Sequence, residues 1–159
     1  MKEIILTKGC KALVDDEDYE RINKFRWNFQ SGRAGRSIGG RKNKVNFMLH
    51  WAIIGKPKKG FVVDHIDNNP LNNTRSNLRI CTPGENAKNS KQIGKNNTSG
   101  YKGVKWDKAR NKWMASIMVE YRNKFLGRFE SKEKAAICYN KAAKKYFGAF
   151  AKLNIIKKI

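Results

Sequence analysis

The sequence predicts an α+β chain built as two folding units, on three observations. Short apolar runs with strand-like alternation recur along its length, helix-period stripes begin at capping residues, and a polar, unpatterned stretch near residue 95 divides the chain. Each half of a 159-residue chain is near the lower limit for burying an adequate core, so help from a ligand, a metal or a polymer is plausible.

The first unit opens with two short strands, KEIILT and KALVD. In DDEDYERINKFRWNF, acidic residues precede Tyr19, Ile22 and Phe25 at helical spacing, which predicts a helix. Residues 32–44, GRAGRSIGGRKNK, are too poor in apolar side chains for a buried element and read as a mobile hairpin or a solvated loop. The apolar pattern returns in VNFMLHWAIIG, punctuated by Gly55 and Pro57. FVVDHI is a β-branched buried strand, DNNPLNN is rich in turn formers, and LRICT is a second strand. In TPGENAKN, Thr82 is a natural N-cap, Pro83 suits the first helical position and Glu85 completes a capping box, so Asn86 falls in the first turns of a helix.

After the linker, YKGVKW, KWMASIMV and KFLGRF read as strands separated by the turn-prone DKARN and EYRN. Trp113, Ala115, Ile117 and Val119 alternate onto one face, leaving Met114, Ser116 and Met118 with Lys112 on the other. Ser131 caps a helix running to Phe147 with Ala135, Cys138, Tyr139, Ala142, Ala143 and Tyr146 in one stripe and Gly148 just past its end. A helix covering one face of a three-stranded antiparallel sheet follows, with the other face open and basic.

Thirty-five Lys and Arg against 13 Asp and Glu leave a formal charge of +22, which points to a polyanionic partner. Residues 1–90 carry 17 basic and 9 acidic side chains and residues 91–159 carry 18 and 4, so the second unit is the stronger candidate for phosphate contact. A membrane is not expected as partner, for lack of a long apolar run, a signal pattern or a lipidation motif. Cys10, Cys81 and Cys138 are widely spaced and form no C-x-x-C pair, which fits reduced thiols better than disulfides or a cysteine zinc site.

Residues 64–86, DHIDNNPLNNTRSNLRICTPGEN, hold one of the two histidines beside a carboxylate and amid asparagines. Phosphodiester hydrolysis needs a base for water and a cation for the phosphate and leaving oxygen. His65 is a candidate base, and Asp64 with Asn86 would suffice for a hard ion such as Mg²⁺, which keeps several waters. Asn77 enters the return strand, where its amide oxygen could orient the imidazole. Alternation would separate Asp64 from His65, so a bulge or a strand end is required there. The bland alternative is a satisfied core histidine, a turn-capping aspartate and turn-forming asparagines.

VDHI, SNLRI and GENAKN, in this order, resemble the HNH endonucleases, in the version found in phage and intron homing enzymes whose last motif residue is Asn. The resemblance implies a ββα-metal (His-Me finger) core at about residues 61–91 within a nuclease domain of residues 1–93. It implies His65 as general base, Asn77 as its orienting partner, and Asp64 and Asn86 as ligands of one divalent ion, Mg²⁺ or Mn²⁺. Asn77 follows His65 by 12 residues and Asn86 by 21. Related sequences read His-Arg where this one has His50 and Trp51, and His50 is expected to pack or hydrogen-bond beside the site.

Residues 101–154, following a linker at 94–100, resemble the plant Apetala/ethylene-response-factor DNA-binding domain through GYKGVKW, KWMASI, FLGRF, KAAICYNKAAKKYFG and AKLN. That likeness implies a sheet laid in the DNA major groove, with Lys102, Lys105, Trp106, Lys112, Lys124 and Arg128 on its exposed face and Arg110 and Arg122 in its turns. Lysines stand where several family arginines would be, so looser base discrimination is expected. Arg33, Arg36 and Arg41 are further candidates for DNA contact. The resulting expectation is a free-standing phage or mobile-element endonuclease acting on double-stranded DNA as a monomer or homodimer in the host cytoplasm. A DNA-binding regulator with an inactive nuclease domain, or an RNA-binding protein, is the alternative.

Overall fold

A computed structural model describes residues 1–40, 42–91 and 93–156, and Arg41 lies outside them. The chain forms two compact units, Met1–Asn86 and Ala87–Ile159. Antiparallel sheets and short helices make up both, a mixed α+β chain.

In the first unit β1 (Lys2–Ile5) and β2 (Lys11–Val14) form a hairpin with Lys2 opposite Val14. Helix α1 (Asp16–Asn23) carries three acids in its first turn, which favour the positive end of the helix dipole. It stops before Phe25, which is exposed, contrary to the longer stripe expected. Trp27 explains the early stop: it is buried, bridges to Leu6, and donates from Nε1 to the Ile22 carbonyl at 2.9 Å.

The hairpin expected around residues 32–44 is present, Arg33–Ile38 pairing with Val45–Met48, but its first strand corrects the expectation that the segment holds no buried element. Strand β4 (Arg33–Ile38) is the middle of a three-stranded sheet between β3 (Asn28–Gln30) and β5 (Val45–Met48). Low apolar content misled because Ala34 and Gly35 are buried by being small: a Cβ on Gly35 would lie 3.3 Å from both Met48 Sδ and the Phe47 carbonyl. Helix α2 (Leu49–Ile54) follows, then the hairpin of β6 (Val62–His65) and β7 (Leu78–Cys81), then α3 (Pro83–Asn89), which carries the chain into the second unit. The core gathers Ile4, Val14, Ile22, Trp27, Leu49 and Leu78.

The second unit is a meander of β8 (Val104–Asp107), β9 (Lys112–Val119) and β10 (Arg122–Phe129) with α4 (Lys132–Phe147) packed against it. Ser131 Oγ accepts from the Lys134 N–H, so the helix starts where its cap was expected. Ala135, Ala136 and Ala143 are fully buried, which brings the helix close to the sheet around Tyr139. The polar 94–100 segment is tied into this unit: Asn97 Nδ2 donates to the carbonyls of Tyr101 and Val104, and buried Ser99 donates to the latter at 2.9 Å.

Candidate active site

The β6/β7 ladder is regular, with Asp64 opposite Arg79 and His65 opposite Leu78 and no bulge. Alternation therefore sends Asp64 and His65 to opposite faces, and His65, as the last residue of β6, supplies the strand end that this neighbouring pair requires. Both are buried, at 4% and 8% exposure.

A buried carboxylate is costly unless paired. Arg79 meets Asp64 across the ladder, its Nε and Nη2 donating to Oδ2 at 2.8 and 2.6 Å. Sequence reading passed over Arg79, although the antiparallel register that sets His65 against Leu78 sets Arg79 against Asp64.

The asparagines between the strands build one loop. Asp67 Oδ1 accepts from the Asn69 N–H and from Asn77 Nδ2, and Oδ2 accepts from Asn72 Nδ2. Burial pushes the Asp67 carboxyl up, but these donors outweigh it and hold the group below its ordinary value. The loop is fixed to β2 by Leu13 N–H to the Leu71 carbonyl and Asn73 N–H to the Leu13 carbonyl, each 2.8 Å. Arg75 clamps it to α1 through Asp18, a carboxylate only 2% exposed.

This loop delivers Asn73, 1% exposed, to the imidazole, with its Oδ1 3.4 Å from His65 Nε2. The orienting contact expected of Asn77 is thus made by Asn73. Asn77 Oδ1 instead accepts from the Asp67 N–H at 2.9 Å, and Nδ2 donates to the Asn72 carbonyl, so Asn77 shapes the loop that carries Asn73. Burial lowers the His65 pKa, with Asn73 and the carboxylates of Asp67 and Asp64 opposing and Arg33 reinforcing that shift. The ring is neutral near pH 7, as a base must be.

Asn86 sits in α3 behind the expected capping box, in which Glu85 N–H donates to Thr82 Oγ1 and Thr82 N–H donates to Glu85 Oε2 at 2.8 Å. Among the described residues no three His, Cys, Asp or Glu side chains gather to hold a metal. Any ion here would rest on a sparse oxygen set, which is what a hard, water-retaining cation takes. His50, in α2, packs its ring edge-on against His65 with centroids 5.3 Å apart and against Trp51 at 5.8 Å.

The expected DNA-contacting side chains are scattered rather than gathered on one face. Lys105, Lys112 and Arg128 share the outer face of the second sheet by register, with Arg128 donating to Asp107 at 2.7 Å and Lys112 paired with Glu130 at 3.0 Å. Trp106 and Lys124 pair with Trp113 and Ile117 and so belong to the helix-covered side, where Lys124 lies over the Tyr146 ring. Lys102 donates to the carbonyls of Lys88 and Ser90 at 3.0 and 2.9 Å, and burial lowers its pKa. Lys102 is thus half-buried, whereas Trp106 and Lys124 are exposed but on the side of the sheet opposite Lys105. Arg110 and Arg122 are exposed at turns. In the first unit Arg33 is exposed, whereas the Arg36 guanidinium lies 3.7 Å from the Phe25 ring centre. No helix among the described residues is long and apolar enough to cross a membrane.

A family described as HNH endonuclease matches residues 52–88, a span that contains Asp64, His65, Asn77 and Asn86. The chain is 34% identical over 152 residues to an uncharacterized HNH endonuclease, L560, of Acanthamoeba polyphaga mimivirus, covering 94% of this chain and 77% of that protein. It is 46% identical over 69 residues to Protein 3.8 of Escherichia phage T7, covering 43% of this chain and 56% of that one. No solved structure matches. The protein is an endonuclease. It belongs to the HNH endonuclease family, which implies DNA as its substrate.

Proposed function

We propose that the chain hydrolyses DNA phosphodiester bonds with the aid of a divalent ion, as a ββα-metal nuclease of the homing type. The observation that carries this reading is the buried Asp64 and His65 pair closing β6, with Asn73 on the imidazole, inside the segment that matches the family.

His65 accepts a proton from water as the water oxygen bonds to phosphorus. In the tautomer with the proton on Nε2, Asn73 Oδ1 accepts from it and the basic lone pair is that of Nδ1. Cleavage of the phosphorus to O3′ bond leaves 3′-hydroxyl and 5′-phosphate ends. Asp64 and Asn86 would hold the ion, Mg²⁺ or Mn²⁺, which supplies charge stabilisation at the phosphate and the leaving oxygen. Asn77 acts at one remove through the loop, and Arg79 keeps the Asp64 carboxylate paired across the ladder. The second unit supplies affinity and placement through Lys105, Lys112 and Arg128 on its open sheet face, the part that resembles the plant domain, with Arg110 and Arg122 beside it. Arg33 contributes near the cleavage site.

Incubating the protein and His65→Ala with duplex DNA in Mg²⁺, with EDTA as control, and sequencing the ends tests this. Discrete cuts lost both in the variant and in EDTA are expected. Binding without cleavage across varied DNAs and metals would instead identify a DNA-binding regulator.

A further inference from the structure

His50 is 5% exposed, yet among the described residues neither ring nitrogen has a hydrogen-bond partner. The only wholly enclosed, unpartnered side-chain polar atom among those residues is Arg36 Nε, so both His50 nitrogens border solvent. The side chain is thus held rigidly between Trp51 and His65, with its polar edge open beside the candidate base.

We propose that His50 contacts the substrate, its neutral imidazole donating a hydrogen bond to a non-bridging oxygen of the phosphodiester being cleaved. Three features favour a phosphate over a passive packing role. A phosphate offers only acceptors, and a neutral imidazole has one N–H that nothing in the protein accepts. The ring lies one imidazole away from the proposed base, where the reacting phosphate must come. Arg33 is near enough to act electrostatically on both histidines, and its cation suits an anion at that place. Burial first, then His65 and Arg33, push the His50 pKa down to about 4, so the ring neither gives nor takes a proton at neutral pH. This inference rests on the hydrolytic reading of Asp64 and His65.

His50→Phe keeps the edge-on packing and removes the donor, whereas His50→Gln restores a donor. Single-turnover cleavage and DNA affinity are measured for both in the full chain, alongside His65→Ala and thermal melts. Expected is an unchanged melting temperature in His50→Phe, a cleavage rate lower by roughly 10- to 100-fold, and partial recovery in His50→Gln. Wild-type cleavage by His50→Phe, or equal loss in both variants, overturns the contact. Wild-type cleavage by His65→Ala overturns the hydrolytic reading itself, so the two failures are distinguishable. If His50→Phe unfolds, a phosphorothioate at the cleaved position is read in wild type and His50→Leu: one diastereomer slows wild type more than the variant if the hydrogen bond exists, and equal slowing in both refutes it.

Discussion

At the scale of single residues, the site shows how much of its chemistry a buried histidine pair ties to stability. His50 has a pKa of about 4 in the fold against 6.5 when free, and that of His65 is also lowered. A depressed histidine pKa means that the unfolded chain binds the proton first. Stability from these groups is complete above pH 6.5 and is lost as pH falls toward 4, by about 2–3 kcal/mol from His50. Melting temperature should therefore drop between pH 7 and pH 4.5, and the drop should shrink but persist in His50→Phe. An equal pH slope in the variant would remove His50 as its source. The residues proposed as base, carboxylate ligand and helix asparagine stood out in the sequence as residue types at a family spacing. The roles of Asn73 and Arg79 were not, because one depends on a folded loop and the other on strand register, and neither leaves a signature at short range.

At the scale of elements, the loop of residues 66–77 and α3 are set by side-chain hydrogen bonds more than by apolar burial, whereas α2 is held by Leu49 and Ile53 in the core. Thr82→Ala removes half of the reciprocal cap on α3 and should destabilise the chain by about 1 kcal/mol, read in a denaturant melt. Asp18→Ala removes the buried carboxylate of the clamp, but Arg75 keeps Glu17 and both arginines are half exposed, so about 1–3 kcal/mol is expected rather than the full cost of a buried charge. Capping chemistry was readable in TPGEN because it is local. The strand at residues 33–38 was not, because Ala34 and Gly35 fill a sheet interior through small size rather than hydrophobicity. Gly103 is a comparable case in the second unit: its φ is +75°, and a Cβ there would lie 2.1 Å from the Tyr139 ring. Gly103→Ala should cost about 3 kcal/mol or more, and a melt within about 1 kcal/mol of wild type would show that Tyr139 can move aside.

At the scale of the whole molecule, the charge of +22 is divided unequally, and the larger share per residue lies beyond the proposed chemistry. All four of Asp64, His65, Asn77 and Asn86 precede residue 91, so deleting residues 96–159 should cost placement more than hydrolysis. Lys102 makes that deletion a double change. It donates to the carbonyls of Lys88 and Ser90 at the end of α3, the helix that also bears Asn86, so the deletion removes a helix cap as well as a binding surface. Lys102→Met in the full chain isolates the cap: it should slow cleavage modestly and leave the pattern of cut sites intact. The deletion should instead broaden that pattern and flatten the fall of DNA affinity with salt, by about one unit of log–log slope for each phosphate that is no longer neutralised. Cut sites and salt slope unchanged by the deletion would place both selection and electrostatic attraction in the first unit, with its exposed Arg33, and leave the basic second sheet without a part in finding the DNA.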